Sequence, residues 1–190
     1  MLHCRAKMFG KMRMPRAATF DWQEDTGTET GSPLKGTTRT TGVTDVNWKN
    51  SGVQGDVYSS YPISAGSNSY IKYQFGKFTG TFNQISGGKF AHTAGTAGTG
   101  ITLVMKIGTT YATPVTTAMS GSTDITSITA IGSGATVLFG ATGPEAAGKA
   151  ASSTNATTYS EYLATQLQTS GSAAAGDTAT LTLTLRYLEN

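Results

Sequence analysis

The segment Gly143-Pro-Glu-Ala-Ala-Gly148-Lys149 has the spacing of a phosphate-cradling loop and follows the apolar run Ala135–Phe139. That chemistry needs a lysine on the phosphates and, immediately afterwards, a Ser or Thr hydroxyl to hold Mg2+. Ala150 occupies the hydroxyl position, and the Ala-Ala-Ser-Ser-Thr-Asn-Ala-Thr-Thr that begins there is a poor start for a helix that must face an anion. The segment reads as a surface loop. Nucleophilic catalysis needs a base held by a third group. His3 and His92 are the two histidines, and His92 is expected in a polar turn beside Thr93 and Gly95. Paired carboxylates for glycoside cleavage would have to come from Asp56, Asp124, Glu145, Glu161 or Asp177, each expected in a turn, where acids are ordinary turn formers. A single cysteine, Cys4, forms no internal disulfide framework, and with two histidines this chain closes no Cys/His metal site. The expectation is a protein that is not an enzyme and holds no cofactor or metal.

Aromatic residues offer binding rather than catalysis. Tyr58, Tyr61, Tyr70, Tyr73, Phe75, Phe78, Phe82 and Phe90 fall in one window. Strand alternation sends some inward as core and others outward, where a row of tyrosines would stack on sugars or fill a subunit interface. Tyr58, Tyr61 and Tyr70 are candidate interface residues. So are five basic residues near the N-terminus, Arg5, Lys7, Lys11, Arg13 and Arg16, which have no acid among them. Beyond them nine basic residues face all 11 acidic ones, so the net charge of +3 comes from the N-terminal arm and the rest of the chain is slightly acidic. Such an arm suits an acidic neighbour or, less directly, nucleic acid. The sequon Asn155-Ala156-Thr157 matters only in a secreted eukaryotic protein, which nothing here suggests. The basic start lacks the apolar run of a secretory signal, and no apolar stretch is long enough for a membrane helix.

The elements that must position these residues are strands. Only 13% of the 190 residues are charged, while 34 are threonine and 24 glycine. Threonine is stiff at χ1 and fits a pleated, half-buried surface, whereas glycine breaks helices and opens turns. Residues 1–41 are expected to be an extended arm, because Gln23–Thr41 is nearly free of hydrophobes and lacks the apolar surface to offset its ordering entropy. Residues 42–190 are expected to be one β-sandwich domain. Val43–Lys49 alternates; Ile71, Tyr73 and Phe75 share one face, with Tyr70, Lys72 and Gln74 on the other. Ile101, Leu103, Met105 and Ile107 share a face, and Ala135–Phe139 is a short strand. Ile125, Ile128 and Ile131 recur at three but, set among Thr and Ser, read as a kinked strand. Leu163–Gln168 and Leu181–Tyr187 alternate around the Ser170–Asp177 loop and read as a hairpin, with a short helix over Tyr159–Gln168 as the alternative. The sum is an all-β chain of about eight strands, a β-sandwich or jelly-roll-like fold.

The run Tyr70-Ile-Lys-Tyr-Gln-Phe-Gly-Lys-Phe-Thr-Gly-Thr-Phe and the ending Gly176-Asp-Thr-Ala-Thr-Leu-Thr-Leu-Thr-Leu-Arg-Tyr, with Thr/Gly/Ala-rich spacing between them, resemble accessory structural proteins of tailed-bacteriophage virions. The resemblance covers residues 43–190 in style and transfers no functional residue. It implies a β-sandwich that binds capsid or tail as a decoration (cement), neck or fibre subunit, commonly as a trimer or larger ring. The expected partners are other copies of the chain and a major capsid or tail protein, in a virion assembled in the host cytoplasm. The alternative is a carbohydrate- or receptor-binding module of a tail fibre, neck or adhesin.

Overall fold

The structure is a computed structural model that describes residues 2–11, 18–31, 34–140, 144, 153–174, 176–177 and 180–189; of these, 2–11, 153–156 and 177 are described in backbone only. The described residues contain thirteen strands, three single 3-10 turns and no α-helix. The strands are β1 (Leu2–Lys11), β2 (Ala18–Thr30), β3 (Lys35–Thr40), β4 (Asp45–Trp48), β5 (Lys72–Phe82), β6 (Ile85–Ala94), β7 (Ile101–Thr109), β8 (Thr123–Asp124), β9 (Ala135–Val137), β10 (Ser153–Tyr159), β11 (Tyr162–Thr169), β12 (Gly176–Asp177) and β13 (Leu181–Glu189). They form two sheets. One has the order β12-β1-β13-β6-β9, with β4 also on β1; the other has the order β3-β2-β5-β11-β7-β8, with β10 also on β5. β1 runs parallel to β12 and β13, and the remaining pairs are antiparallel. The described residues are therefore all-β, with more strands than the eight or so expected.

One apolar cluster draws on both sheets. Trp22, Phe78, Phe82, Leu103, Leu163 and Leu167 come from the seven-stranded sheet, and Val46, Trp48, Phe90, Leu181, Leu183 and Leu185 from the other. Phe78 lies edge-on to Tyr187 of β13 at 4.6 Å, and Phe20 stacks on the same tyrosine at 6.1 Å, so rings bridge the sheets. Burying each such side chain is worth about 1.5–3 kcal/mol, and a well-placed ring pair adds about 0.5–1.5 kcal/mol. Because successive side chains alternate, the opposite face of β5 carries Tyr73 and Phe75. These form a second cluster with Ile71, Tyr111, Tyr159, Tyr162 and Ala164. The 110–119 segment crosses this face, held by Ile71 N–H to Val115 O and by Gln166 Nε2 to Thr117 O, both at 3.0 Å.

Four expectations change. The stretch Gln23–Thr41, expected to lack the apolar surface for its own ordering, takes part in strands of this chain: β2 pairs with β5 from Ala18 to Asp25, and β3 pairs with β2. Counting hydrophobes misjudged this stretch because its acids are themselves buried and paired across strands. Glu24 accepts from Lys72 Nζ at 3.0 Å and from Gln74 Nε2 at 2.9 Å; Asp25 accepts from Arg39 at 2.7 and 2.9 Å and from the Tyr162 hydroxyl. The Lys72 and Gln74 side chains of β5 are buried with them.

The expected C-terminal hairpin is not formed. β11 pairs with β5 and β7, whereas β13 pairs with β1 and β6, so the connection crosses between sheets. Alternation identifies a strand but not its neighbour. The Ile125–Ile131 segment is two 3-10 turns, Ile125–Ser127 and Ile131–Ser133, rather than a kinked strand. A spacing of three matches the three residues per turn of that helix. His92 lies buried in β6 and not in a polar turn.

Candidate functional site

The loop after β4 builds one wall of an open concavity. Lys49 is buried there, and its ammonium donates to the backbone carbonyls of Gln54 at 2.9 Å and Asp56 at 2.5 Å. One cation thus gathers two carbonyls and folds the loop around itself. Burial pushes the Lys49 pKa down, helped by the charge of Lys72 and opposed by Asp56 and Glu24. Ser51 Oγ donates to Asp56 Oδ2 and accepts from Val53 N–H at 3.1 Å, and Asn50 N–H donates to Tyr61 O at 2.9 Å. The loop is closed at both ends, since Tyr70 N–H also donates to Lys49 O at 3.1 Å.

The facing wall is the β2–β3 edge. Gly27 adopts φ +86°, and the register between β2 and β3 shifts between Thr26 and Glu29. A β-bulge of this kind bends the strand and needs glycine at the positive φ. Gly36 is equally constrained: a Cβ there would sit 2.3 Å from Thr26 O. The Tyr111 hydroxyl donates to Gly27 O at 2.7 Å, and Glu29 N–H donates to Thr113 Oγ1 at 3.2 Å, which holds the 110–119 segment against the bulge. Between these walls lies an open cleft of about 820 Å3 bordered by Tyr61, Tyr70, Asn50, Gln54, Asp56 and the threonines of β2 and β3.

The expected interface residues separate into three groups. Tyr61 and Tyr70 meet in the cleft, Tyr61 at 41% exposure and Tyr70 half-buried. Tyr58 is also 41% exposed and sits in the 3-10 turn Tyr58–Ser60 beside the cleft loop. Arg5, Lys7 and Lys11 lie on β1, where the backbone alone is described, and Arg13 and Arg16 fall outside the described residues. Of the other aromatics, Tyr73, Phe75, Phe78, Phe82 and Phe90 are core.

The remaining chemical candidates do not converge. Both ring nitrogens of His92 lack a hydrogen-bond partner among the described residues. Asp124 caps a 3-10 turn, accepting from Thr126 N–H at 2.9 Å and Oγ1 at 2.6 Å. Glu145, and Gly143–Lys149 apart from Pro144, lie outside the described residues, as does the Asp177 side chain. No group of three or more His, Cys, Asp or Glu side chains among the described residues is placed to hold a metal ion. Among the described lining residues Asp56 is the one carboxylate, and none is a cation. The arrangement offers hydroxyls, amides and two phenol rings, a surface for recognition. Sequence reasoning missed Asn50, Ser51 and Gln54, and its signal for them was slight: a Gly- and Asn-containing stretch just after a lysine that continues a strand pattern. No protein-family model, curated protein or solved structure matches the chain.

Proposed function

We propose that the chain is a β-sandwich structural protein of a viral particle, a decoration or capsid-stabilising subunit that works by surface contact rather than catalysis. The sandwich reading rests on the single apolar cluster to which both sheets contribute. The observation that carries contact function is where apolar surface is left outside. Of the eight large apolar side chains exposed among the described residues, four, Val53, Val57, Tyr58 and Tyr61, between 41% and 61% exposed, fall in the one segment between β4 and β5 that carries the cleft loop. Large exposed apolar side chains gathered in one place mark interaction sites, whereas scattered ones need no explanation. Aromatic residues at the centre of a contact also carry a large share of its energy.

The viral setting is supported by the resemblance of Tyr70–Phe82 and Gly176–Tyr187, which coincide with β5 and with β12–β13. In this reading the partners are further copies of the chain, as a trimer or ring, and a capsid or tail protein. The basic residues of β1 and the segment after it would meet an acidic neighbour. Immunogold labelling of particles purified from the source of the sequence tests the proposal. Label on intact particles is the expected result; label confined to free protein, with unlabelled particles, would overturn it.

A further inference from the structure

The cleft itself points to a ligand of a different kind from a protein neighbour. Its volume of about 820 Å3 lies within the range of small-molecule sites, about 300–1,000 Å3. Its lining narrows the class of occupant. A phosphate or nucleic acid calls for arginine, lysine or a cluster of backbone amides, and the one lysine nearby, Lys49, is buried with its ammonium spent on Gln54 O and Asp56 O. The wall is mixed: Tyr61, Tyr70, Val53 and Pro114 give it more apolar than polar surface, and the Thr side chains, Asn50, Gln54 and Asp56 set polar groups among them. A neutral molecule with hydroxyls and an apolar face matches both kinds of surface.

The aromatic residues supply the counterpart to that face. Tyr61 borders the cleft with its side chain substantially exposed. Tyr70 is braced: a Cβ on Gly52 would lie 3.2 Å from its Cδ1, so the ring is backed by the loop rather than free to swing toward it. The polar groups are held as well. Ser51 fixes Asp56 through Oδ2 and leaves Oδ1 unclaimed among the described residues. Thr38 and Thr40 on β3 lie at the two-residue spacing that lines one side of a strand, and Thr26 and Thr28 border the cleft on either side of the Gly27 bulge of β2.

We propose that this cleft binds a short neutral oligosaccharide, with a pyranose ring stacked on Tyr61 or Tyr70 and its hydroxyls bonded to Asp56, Asn50 and Gln54. A pyranose presents C–H groups on its faces, which suit the electron-rich face of a phenol ring, and hydroxyls at its rim, which pair as donor and acceptor with carboxylate and amide groups. The binding needs no metal and no bond-making step. It shares Val53 and Tyr61 with the contact reading, yet the two fail separately: a contact subunit with an empty cleft and a sugar-binding protein outside any particle are distinguishable outcomes.

The test is isothermal titration of the full chain with maltohexaose, cellohexaose, xylohexaose and chitohexaose, with heparin hexasaccharide as the charged control. At least one neutral sugar is expected to bind with a Kd below about 1 mM. Tyr61→Ala is expected to weaken that binding about tenfold without moving the melting temperature, because Tyr61 is not core. Asp56→Asn supplies a second variant that keeps the side-chain shape. No heat from any neutral sugar at about 10 mM overturns the proposal. Binding to the heparin control alone, or binding undiminished in both variants, overturns it as well.

Discussion

Glu24 on β2 and Lys72 on β5 form an ion pair at 3.0 Å with side chains only 2% and 3% exposed, and Gln74 Nε2 occupies the second carboxylate oxygen at 2.9 Å. Two charges taken out of water gain little net stability when paired, but either one left alone is costly. The pair therefore fixes how β2 lies on β5 more than it stabilises the sheet. Lys72→Met is expected to destabilise the fold by about 3–5 kcal/mol, because it strands Glu24. Adding Glu24→Gln, which keeps an acceptor for Gln74, is expected to recover at least half of that loss. Urea unfolding of the single and double variants measures both; a double variant as unstable as Lys72→Met contradicts the pairing.

Phe78 is fully buried and touches Phe20, Phe139 and Tyr187 with ring centroids 5.0, 5.3 and 4.6 Å away. Phe78→Ala opens a cavity where the sheets meet and is expected to cost about 3–5 kcal/mol. Tyr58→Ser, on the exposed 3-10 turn, is expected to stay within about 0.5 kcal/mol of the parent. Thermal unfolding separates the two variants, and similar melting temperatures would contradict the assigned core.

Deleting residues 1–41 removes β1, β2 and β3, including the strand that covers one side of β5. The truncated chain is expected to lose cooperative unfolding and amide dispersion in a proton–nitrogen NMR spectrum. A dispersed spectrum matching the parent over 42–190 would mean that the N-terminal residues are dispensable.

Alkaline pH is the direction in which the fold is expected to fail. Burial raises the pKa of Tyr73, Tyr111, Tyr162 and Tyr187 above the ordinary phenol value; at Tyr162 the hydrogen bond to Asp25 adds to this, and at Tyr111 the Asp25 charge does. Groups with raised folded pKa values contribute stability that is present below the unfolded value of about 10 and is lost as pH rises beyond it. Lys49 acts with the opposite sign. Its pKa is lowered, so its contribution grows as pH approaches the free lysine value of about 10.4. Four tyrosines outweigh one lysine, and stability is expected to fall above about pH 10. Tyrosinate absorbance should then show these phenols ionising in one step that coincides with loss of circular dichroism. Ionisation of all tyrosines near pH 10 with the fold intact would contradict their burial.

Much of the strand content was legible because alternation is a local property. Leu103 and Met105 of β7, and Leu181, Leu183 and Leu185 of β13, all point where their spacing says. Pairing was not legible, because two runs separated by a loop look alike whether or not they are neighbours; β11 and β13 ended in different sheets. Buried charge was not legible either. Glu24, Asp25, Lys49 and Lys72 look like solvated side chains until their partners, 14 to 48 residues away for the Asp25–Arg39 and Glu24–Lys72 pairs, are brought across strands. The cleft belongs to the same class, since its loop is shaped by a buried ammonium reaching carbonyls rather than by any motif. Tyr61 and Tyr70 were nevertheless singled out with Tyr58, because strand alternation sends some aromatic residues of that window outward.

The central claim is that this chain works by contact through the loop carrying Val53, Val57, Tyr58 and Tyr61. Light-scattering mass measurement of the purified chain across a concentration series, beside the doubly substituted Val57→Asp, Tyr58→Asp protein, tests it most directly. The account predicts a trimer or larger ring for the parent and a folded monomer for the variant. A parent that stays at the 19.7 kDa monomer mass throughout, or a variant that assembles as the parent does, would contradict it.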